Sequence, residues 1–284
     1  MKTTYEELLN SFIDNALKED VGEGDHTSLS CIPDSASGKA KLLVKETGII
    51  AGVRAASEVF HKADNQLLVK IYLPDGTRIK PGDIVLDVTG NIRAILQTER
   101  LVLNIMQRMS GIATKTAQYV ECLHGLKTKV LDTRKTTPGI RFLEKEAVRI
   151  GGGYNHRMGL YDMIMIKDNH VDFAGGIKKS IEKTKNYLKR KNLDLKVEIE
   201  ARNLNEIEEI LATGGVNRIM LDNFTVADTR SALKMINGRF ETESSGGITL
   251  DNIRAYAECG VDYVSVGALT HHINSLDLSL KAIK

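Results

Sequence analysis

Cysteine is scarce. Cys31, Cys122 and Cys259 lie far apart in a chain of 284 residues and form no CxxC pair. This excludes a disulfide framework and a zinc knuckle and suits a reducing compartment. Long apolar runs are missing as well. None approaches the ~20 residues needed to span a bilayer, and the opening MKTTYEELLNSF has no apolar stretch of signal-peptide type. A cytoplasmic protein with no membrane partner is expected. Charge of one sign is also lacking: 39 Lys and Arg face 37 Asp and Glu, a net +2. The chain is no polycation, and non-specific nucleic-acid binding is not suggested. There is no HExxH, no P-loop and no evident Ser-His-acid arrangement. The chemistry therefore rests on placing charges rather than on a protein nucleophile.

What is present is concentrated between Asp132 and His170, DTRKTTPGIRFLEKEAVRIGGGYNHRMGLYDMIMIKDNH. Arg134, Lys135, Arg141, Lys145, Arg149, Arg157 and Lys167 surround three consecutive glycines, 151–153. Cations beside backbone that can approach closely suit a small ligand with several negative charges. The apolar run 163–166 then reads as a buried strand delivering Lys167, Asp168, Asn169 and His170 to a site.

The organisation on either side differs. Residues 4–19 have helical apolar spacing. Residues 39–91 read as short strands at 42–44, 49–53, 67–73 and 83–88, with a helix at 55–63 and turns at Pro74-Asp75-Gly76 and Pro81-Gly82-Asp83. A long helical pattern covers 94–123, and Ser110-Gly111 is expected to kink or split it. Strands at 127–133, 162–168, 195–201, 217–223, 239–245 and 262–268 then alternate with helical segments at 176–189, 204–212, 226–236 and 250–259. That alternation predicts parallel β/α architecture. It spans ~150 residues, short of the ~250 of a full eight-fold barrel.

Polar residues gather at the C-terminal ends of these strands, where β/α barrels carry their active sites. They are Asp132-Thr133-Arg134-Lys135, Lys167-Asp168-Asn169, Glu198 and Glu200, Asp222-Asn223, Glu243-Ser244-Ser245-Gly246-Gly247, and Gly267-Ala268. The last two ends suit phosphate, the fifth with Thr249 as the expected N-cap of the next helix. Glu200 and Asp222 are candidates for ribose hydroxyls or a hydrated Mg²⁺, and one of Glu198 and Glu200, Glu198 before Glu200, is expected to pair with Lys167 or Lys135. Arg100, Arg134 and Arg157 are candidates for a planar carboxylate, although Arg100 has the simpler reading of a helix-surface pair. His156 either meets a ligand or orders the glycine loop. His170 and His271 read equally as caps or site residues. Arg141, Lys145 and Arg149 read as a solvated helix face with Glu144 and Glu146.

The motifs EDVGEGDHTS (19–28), ERLVLNIMQRMSGIAT (99–114), the segment 132–160, IKDNH (166–170), VEIE (197–200), MLDN (220–223), ESSGGI (243–248) and GVDYVSVGALTH (260–271) run through both halves in order. With them the chain resembles the quinolinate phosphoribosyltransferases of NAD biosynthesis. Val21 and His272 are the small departures. The resemblance implies an N-terminal α/β sandwich over 1–112, an incomplete β/α barrel over 113–268, and a tail, 269–284, returning to the first domain. It implies transfer from phosphoribosyl pyrophosphate to quinolinate with decarboxylation, Mg²⁺ as cofactor carried with the substrate rather than by an assured protein ligand, and a homodimer or an assembly of dimers. By the same resemblance Arg134, Arg157, Lys167 and a partner's Arg100 hold quinolinate, with His156 and Thr133 nearby. Lys135 stabilises pyrophosphate, Glu200 and Asp222 serve the ribose, and Ser245, Gly246, Gly247, Gly267 and Ala268 cradle phosphate. Lys135, Glu200 and Asp222 are the catalytic candidates. The alternatives are a related transferase associated with molybdenum transport, a Schiff-base aldolase using Lys167, and a non-catalytic anion binder.

Overall fold

The computed structural model describes residues 4–283. They fall into two compact units. The first takes the chain up to Ala117, residues 136–152 and the tail from Leu269; the second takes residues 118–135 and 153–268. The sequence reading placed 136–152 with the barrel, whereas these residues group with the first unit.

In the first unit, helix α1 (Tyr5–Val21) starts at a capping box. Thr4 Oγ1 accepts from the Glu7 amide at 3.2 Å, and Glu7 Oε2 accepts from the Thr4 amide at 2.7 Å. A short helix α2 (His26–Cys31), capped by Asp25, follows; its six residues are too few to show a period in sequence. Then come β1 (Ser37–Val44), β2 (Gly48–Ile49), α3 (Val53–Ala63), β3 (Leu68–Ile71), β4 (Arg78–Ile79), β5 (Ile84–Asn91), α4 (Ile92–Cys122) and α5 (Arg141–Ile150). Ala40, Leu42 and Val44 alternate inward along β1. A four-stranded antiparallel sheet runs from the C-terminal strand Leu278–Ile283 through β1 and β5 to β3. The strand expected over 49–53 stops at Ile49. Gly52 adopts φ +91°, and α3 begins at once.

α4 is one continuous helix, so Ser110-Gly111 does not split it. Buried Ser110 spends its hydroxyl on another segment: Oγ accepts from the Ala51 amide at 2.9 Å and donates to the Ala51 carbonyl at 3.2 Å. Gly111 is there for close approach, since a Cβ at that position would lie 2.2 Å from the Asn274 carbonyl oxygen. α5 also differs from expectation. Glu144 and Lys145 are each only 1% exposed, because Glu144 accepts from Arg108 Nε at 2.7 Å and from the Thr137 amide at 3.1 Å. The helix face read as solvated is therefore partly interior.

The second unit holds β6 (Lys129–Leu131), β7 (Ile164–Ile166), α6 (Asp168–Ala174), α7 (Ile177–Lys191), β8 (Val197–Ala201), α8 (Leu204–Thr213), β9 (Arg218–Asp222), α9 (Val226–Ile236), β10 (Glu241–Ser245), α10 (Ile253–Ala257) and β11 (Tyr263–Ser265). All six strands are parallel, in the order β6-β11-β10-β9-β8-β7. The two end strands, β6 and β7, are not paired with each other, so the barrel is incomplete; Tyr154 makes a single parallel bridge to Leu131 of β6. β8 is buried at all five positions, as strands covered on both faces require. Thr249 is not a helix cap. α10 begins only at Ile253, and Thr249 instead donates its amide to Asn252 Oδ1 at 2.8 Å. No helix among the described residues is long and apolar enough to cross a membrane.

Candidate active site

Because all six strands of the second unit are parallel, their C-terminal ends share one face. A cavity of about 600 Å³ opens there. Thr133, Arg134 and Lys135 enter it after β6, Lys167 and Asp168 after β7, Glu200 from β8, Asp222 and Asn223 from β9, and Ser245, Gly246 and Gly247 from β10. His156 and Arg157 complete the ring from the segment before β7.

On one side two carboxylates sit on adjacent strands. Glu200 Oε1 is ion-paired with Lys167 Nζ, and Oε2 receives the Asp168 amide at 3.4 Å. Asp222 is held by Asn223 Nδ2, which donates to Oδ2 at 2.9 Å. Burial, and then the charge of Glu200, push the Asp222 carboxyl up from its ordinary range. The lysine pairing, expected of Glu198 before Glu200, thus belongs to Glu200 instead. His170 serves as a cap: its Nδ1 accepts from the Lys167 amide at 2.9 Å.

On the other side carboxylates fix the backbone that carries Arg157. Wholly buried Asp132 accepts from the His156 amide at 2.8 Å and from Asn155 Nδ2 at 2.6 Å. Asp162 accepts from the Met158 and Gly159 amides at 2.7 and 2.9 Å. Arg157 Nη1 donates to the Met163 carbonyl at 3.2 Å. Burial, and then the nearby charge of Arg134, lower the Arg157 pKa. Two guanidiniums held close against their own repulsion suit an anion with two negative groups.

Beneath the cavity lies a charged cluster absent from the sequence reading. Arg218 Nη1 is 2.9 Å from Glu243 Oε2 and 3.8 Å from Glu198 Oε2, and the guanidinium stacks on Tyr263 at 4.0 Å. His156 Nε2 is 3.0 Å from Glu198. Burial raises both glutamate pKa values to about 7.

Gly246 and Gly247 form the turn after β10 with φ +92° and +62°. A Cβ on Gly246 would lie 2.1 Å from Asn223 Oδ1, the side chain that holds Asp222. Gly246→Ala is therefore expected to lower turnover by about 100-fold through misplacement of Asp222; steady-state kinetics on the folded variant checks this, and wild-type turnover would separate the turn from the reaction.

The family model of the quinolinate phosphoribosyl transferase C-terminal domain matches residues 112–281, and that of the N-terminal domain matches residues 25–110. The chain belongs to the quinolinate phosphoribosyl transferase family. It is 45% identical to the chloroplastic nicotinate-nucleotide pyrophosphorylase (carboxylating) of Arabidopsis thaliana, over 98% of this chain and 83% of that one. It is 42% identical to the probable nicotinate-nucleotide pyrophosphorylase (carboxylating) of Bacillus subtilis, over 96% and 91%. The crystal structure of NadC from Streptococcus pyogenes matches with a TM-score of 0.92 at 38% identity, covering all of both chains.

Of the residues picked out by resemblance to the quinolinate phosphoribosyl transferase family, the cavity brings together Thr133, Arg134, Lys135, His156, Arg157, Lys167, Glu200, Asp222, Ser245, Gly246 and Gly247. Arg100, exposed on α4, does not line it, and neither do Gly267 and Ala268. Met165, Met220 and Ser265 carry no site signal in the sequence, and Asn223 and Glu243 are legible only as strand-end polar groups; all five line the cavity. Strand parity was the available signal for Glu243, which faces the same way as Ser245 two residues on.

Proposed function

We infer that this chain transfers the phosphoribosyl group of phosphoribosyl pyrophosphate to quinolinate with loss of CO₂, giving nicotinate mononucleotide and pyrophosphate. The observation that carries this reading is the two-sided cavity of a family member. Arg134, Arg157 and Lys167 line it together with a pair of carboxylates, and a left-handed Gly246-Gly247 turn closes the wall. Both substrates are polyanions, which accounts for clustered cations in a chain of net charge +2.

Arg134, Arg157 and Lys167 bind the two quinolinate carboxylates, joined by Arg100 of a second copy in a homodimer. The exposure of Arg100, which has no ion-pair partner among the described residues, supports that role. Lys135 meets the departing pyrophosphate. Ser245, Gly246 and Gly247 of the cavity wall hold the phosphate; Gly267 and Ala268, off that wall, are assigned to it by resemblance alone. Glu200 and Asp222 orient the ribose hydroxyls. They also suit a Mg²⁺ that arrives on the substrate, since that ion takes oxygen ligands and needs only one or two carboxylates beside substrate phosphates. When bound, the ion offsets the charge of the pyrophosphate. The ring nitrogen forms its bond to ribose C1 as the C1–O bond to pyrophosphate breaks. The resulting pyridinium takes up the electron pair left when the adjacent carboxylate departs as CO₂, and a solvent proton replaces it. The protein's part is orientation and charge compensation. The cytoplasm is the proposed compartment, consistent with three free thiols.

No observation favours the transferase associated with molybdenum transport. The aldolase reading needs an unencumbered amine, whereas Lys167 is paired with Glu200. The test is release of pyrophosphate and CO₂ from a panel of pyridine carboxylates. Quinolinate should exceed nicotinate by at least about 100-fold, because nicotinate leaves site cations unpaired, and chelation of Mg²⁺ should stop the reaction. Equal turnover of nicotinate would overturn the specificity.

A further inference from the structure

His156 lines the cavity, yet its side chain is only 4% exposed, and each ring nitrogen faces a polar neighbour of the protein. Nδ1 lies 2.7 Å from the backbone nitrogen of Arg157. A backbone N–H can only donate, so Nδ1 must present a lone pair to it. The ring proton then sits on Nε2. That nitrogen points down into the barrel, 3.0 Å from Glu198 Oε2 and 3.5 Å from Glu243 Oε2. A second proton, on Nδ1, would set two donors face to face at 2.7 Å.

The spacing of His156, Glu198 and Glu243 would also admit a metal ion. However, Arg218 already brings a positive charge to within 2.9 Å of Glu243 and 3.8 Å of Glu198. A divalent cation would have to share both carboxylates with a guanidinium stacked on Tyr263. The cluster is thus built around an arginine, and its upper end is the imidazole.

We propose that His156 is a positioning residue: a neutral, Nε2-protonated imidazole that braces the Arg157 backbone from below and makes no hydrogen bond to substrate. Glu198, Glu243 and Arg218 form the foundation against which the ring stands, and Asp132 pins the same stretch through the His156 amide. Arg157 is held from two directions before any ligand arrives. The proposal rests on the reading that Arg157 meets quinolinate.

The decisive measurement is the ¹⁵N spectrum of histidine-labelled full-length protein near neutral pH. The His156 signals should have the Nε2–H pattern, unchanged by saturating quinolinate. An imidazolium or Nδ1–H pattern appearing with quinolinate would overturn the proposal. A second arm compares two variants by calorimetry. His156→Asn places a carbonyl oxygen near the Nδ1 position, and His156→Leu places none. Leaving the part-buried Arg157 N–H unmet should weaken quinolinate binding about tenfold in His156→Leu, with His156→Asn restored to within about threefold of wild type. Equal weakening in both variants counts against the brace. If His156→Leu does not fold, the spectrum of the unmutated protein still decides. An Nε2–H pattern in a wild-type protein that fails to bind quinolinate would support the brace and sink the functional reading.

Discussion

Arg157→Ala should weaken quinolinate binding by about 2–5 kcal/mol, roughly 30-fold to several thousand-fold, the range for deleting one member of a desolvated charge pair. The side chain is half-buried, and burial together with the charge of Arg134 already disfavours its cationic form. A ligand with two carboxylates relieves that strain, and a single remaining arginine cannot serve both. Arg157→Lys should recover little, because an ammonium lacks the planar fork and would not reach the Met163 carbonyl in the same geometry. Calorimetric titration of quinolinate checks this; an unchanged dissociation constant would remove Arg157 from the ligand's surroundings.

The largest stability effect is expected beneath the cavity. Arg218→Met would leave Glu198 and Glu243, both fully buried, without their guanidinium. Breaking such an assembly from one side costs about 3–5 kcal/mol, measurable by urea unfolding. Its pH dependence has a definite sign. Burial raises both carboxyls from 4.5 to about 7 in the folded protein. Between those values the native state holds more protons than the unfolded chain. This contribution to stability is therefore full below 4.5 and declines as pH rises toward 7, by up to about 1.4 kcal/mol per pH unit for each group. In Arg218→Met the decline should extend above 7, since the cation that favours ionisation is gone. Glu243→Gln removes one of the two titrating groups and should flatten the slope. Identical wild-type and Glu243→Gln profiles from about pH 5 to about pH 8 would refute the assignment.

These two arginines also mark what the sequence made legible. Arg157 sits beside a triple glycine and just before an apolar strand, and its neighbours in sequence are its neighbours in the site. Alternation of strands and helices was likewise visible, because each strand is a short apolar run with polar residues at its C-terminal end. Arg218 opens a strand 61 positions later, and only the parallel ladder sets it beside Glu241 and Glu198; no local pattern announces that. The helix caps divide the same way. Thr4 and Glu7 stand three residues apart and close a box within one turn. Thr249 looked like a cap by its identity, but the chain after Gly247 turns first, with Asn252 Nδ2 donating to the Gly247 carbonyl at 2.9 Å. Propensity marks Ser110-Gly111 as a break, whereas the helix runs on through it, with Ser110 bonded to Ala51 and Gly111 close against the Asn274 backbone. Propensity loses wherever a distant segment supplies the hydrogen bond or needs the space.

The C-terminal strand, Leu278–Ile283, pairs with β1 from Lys39 to Val44. During synthesis, then, β1 emerges before every strand of the barrel and its partner strand after them. The barrel has all its strands once Ser265 has left the ribosome, while one edge of β1 still waits for Leu278–Ile283. Until then that edge is an open template for foreign strands. Loss of Leu278–Ile283 would leave that edge unpaired, and its cost would be aggregation of the nascent chain before any substrate is met.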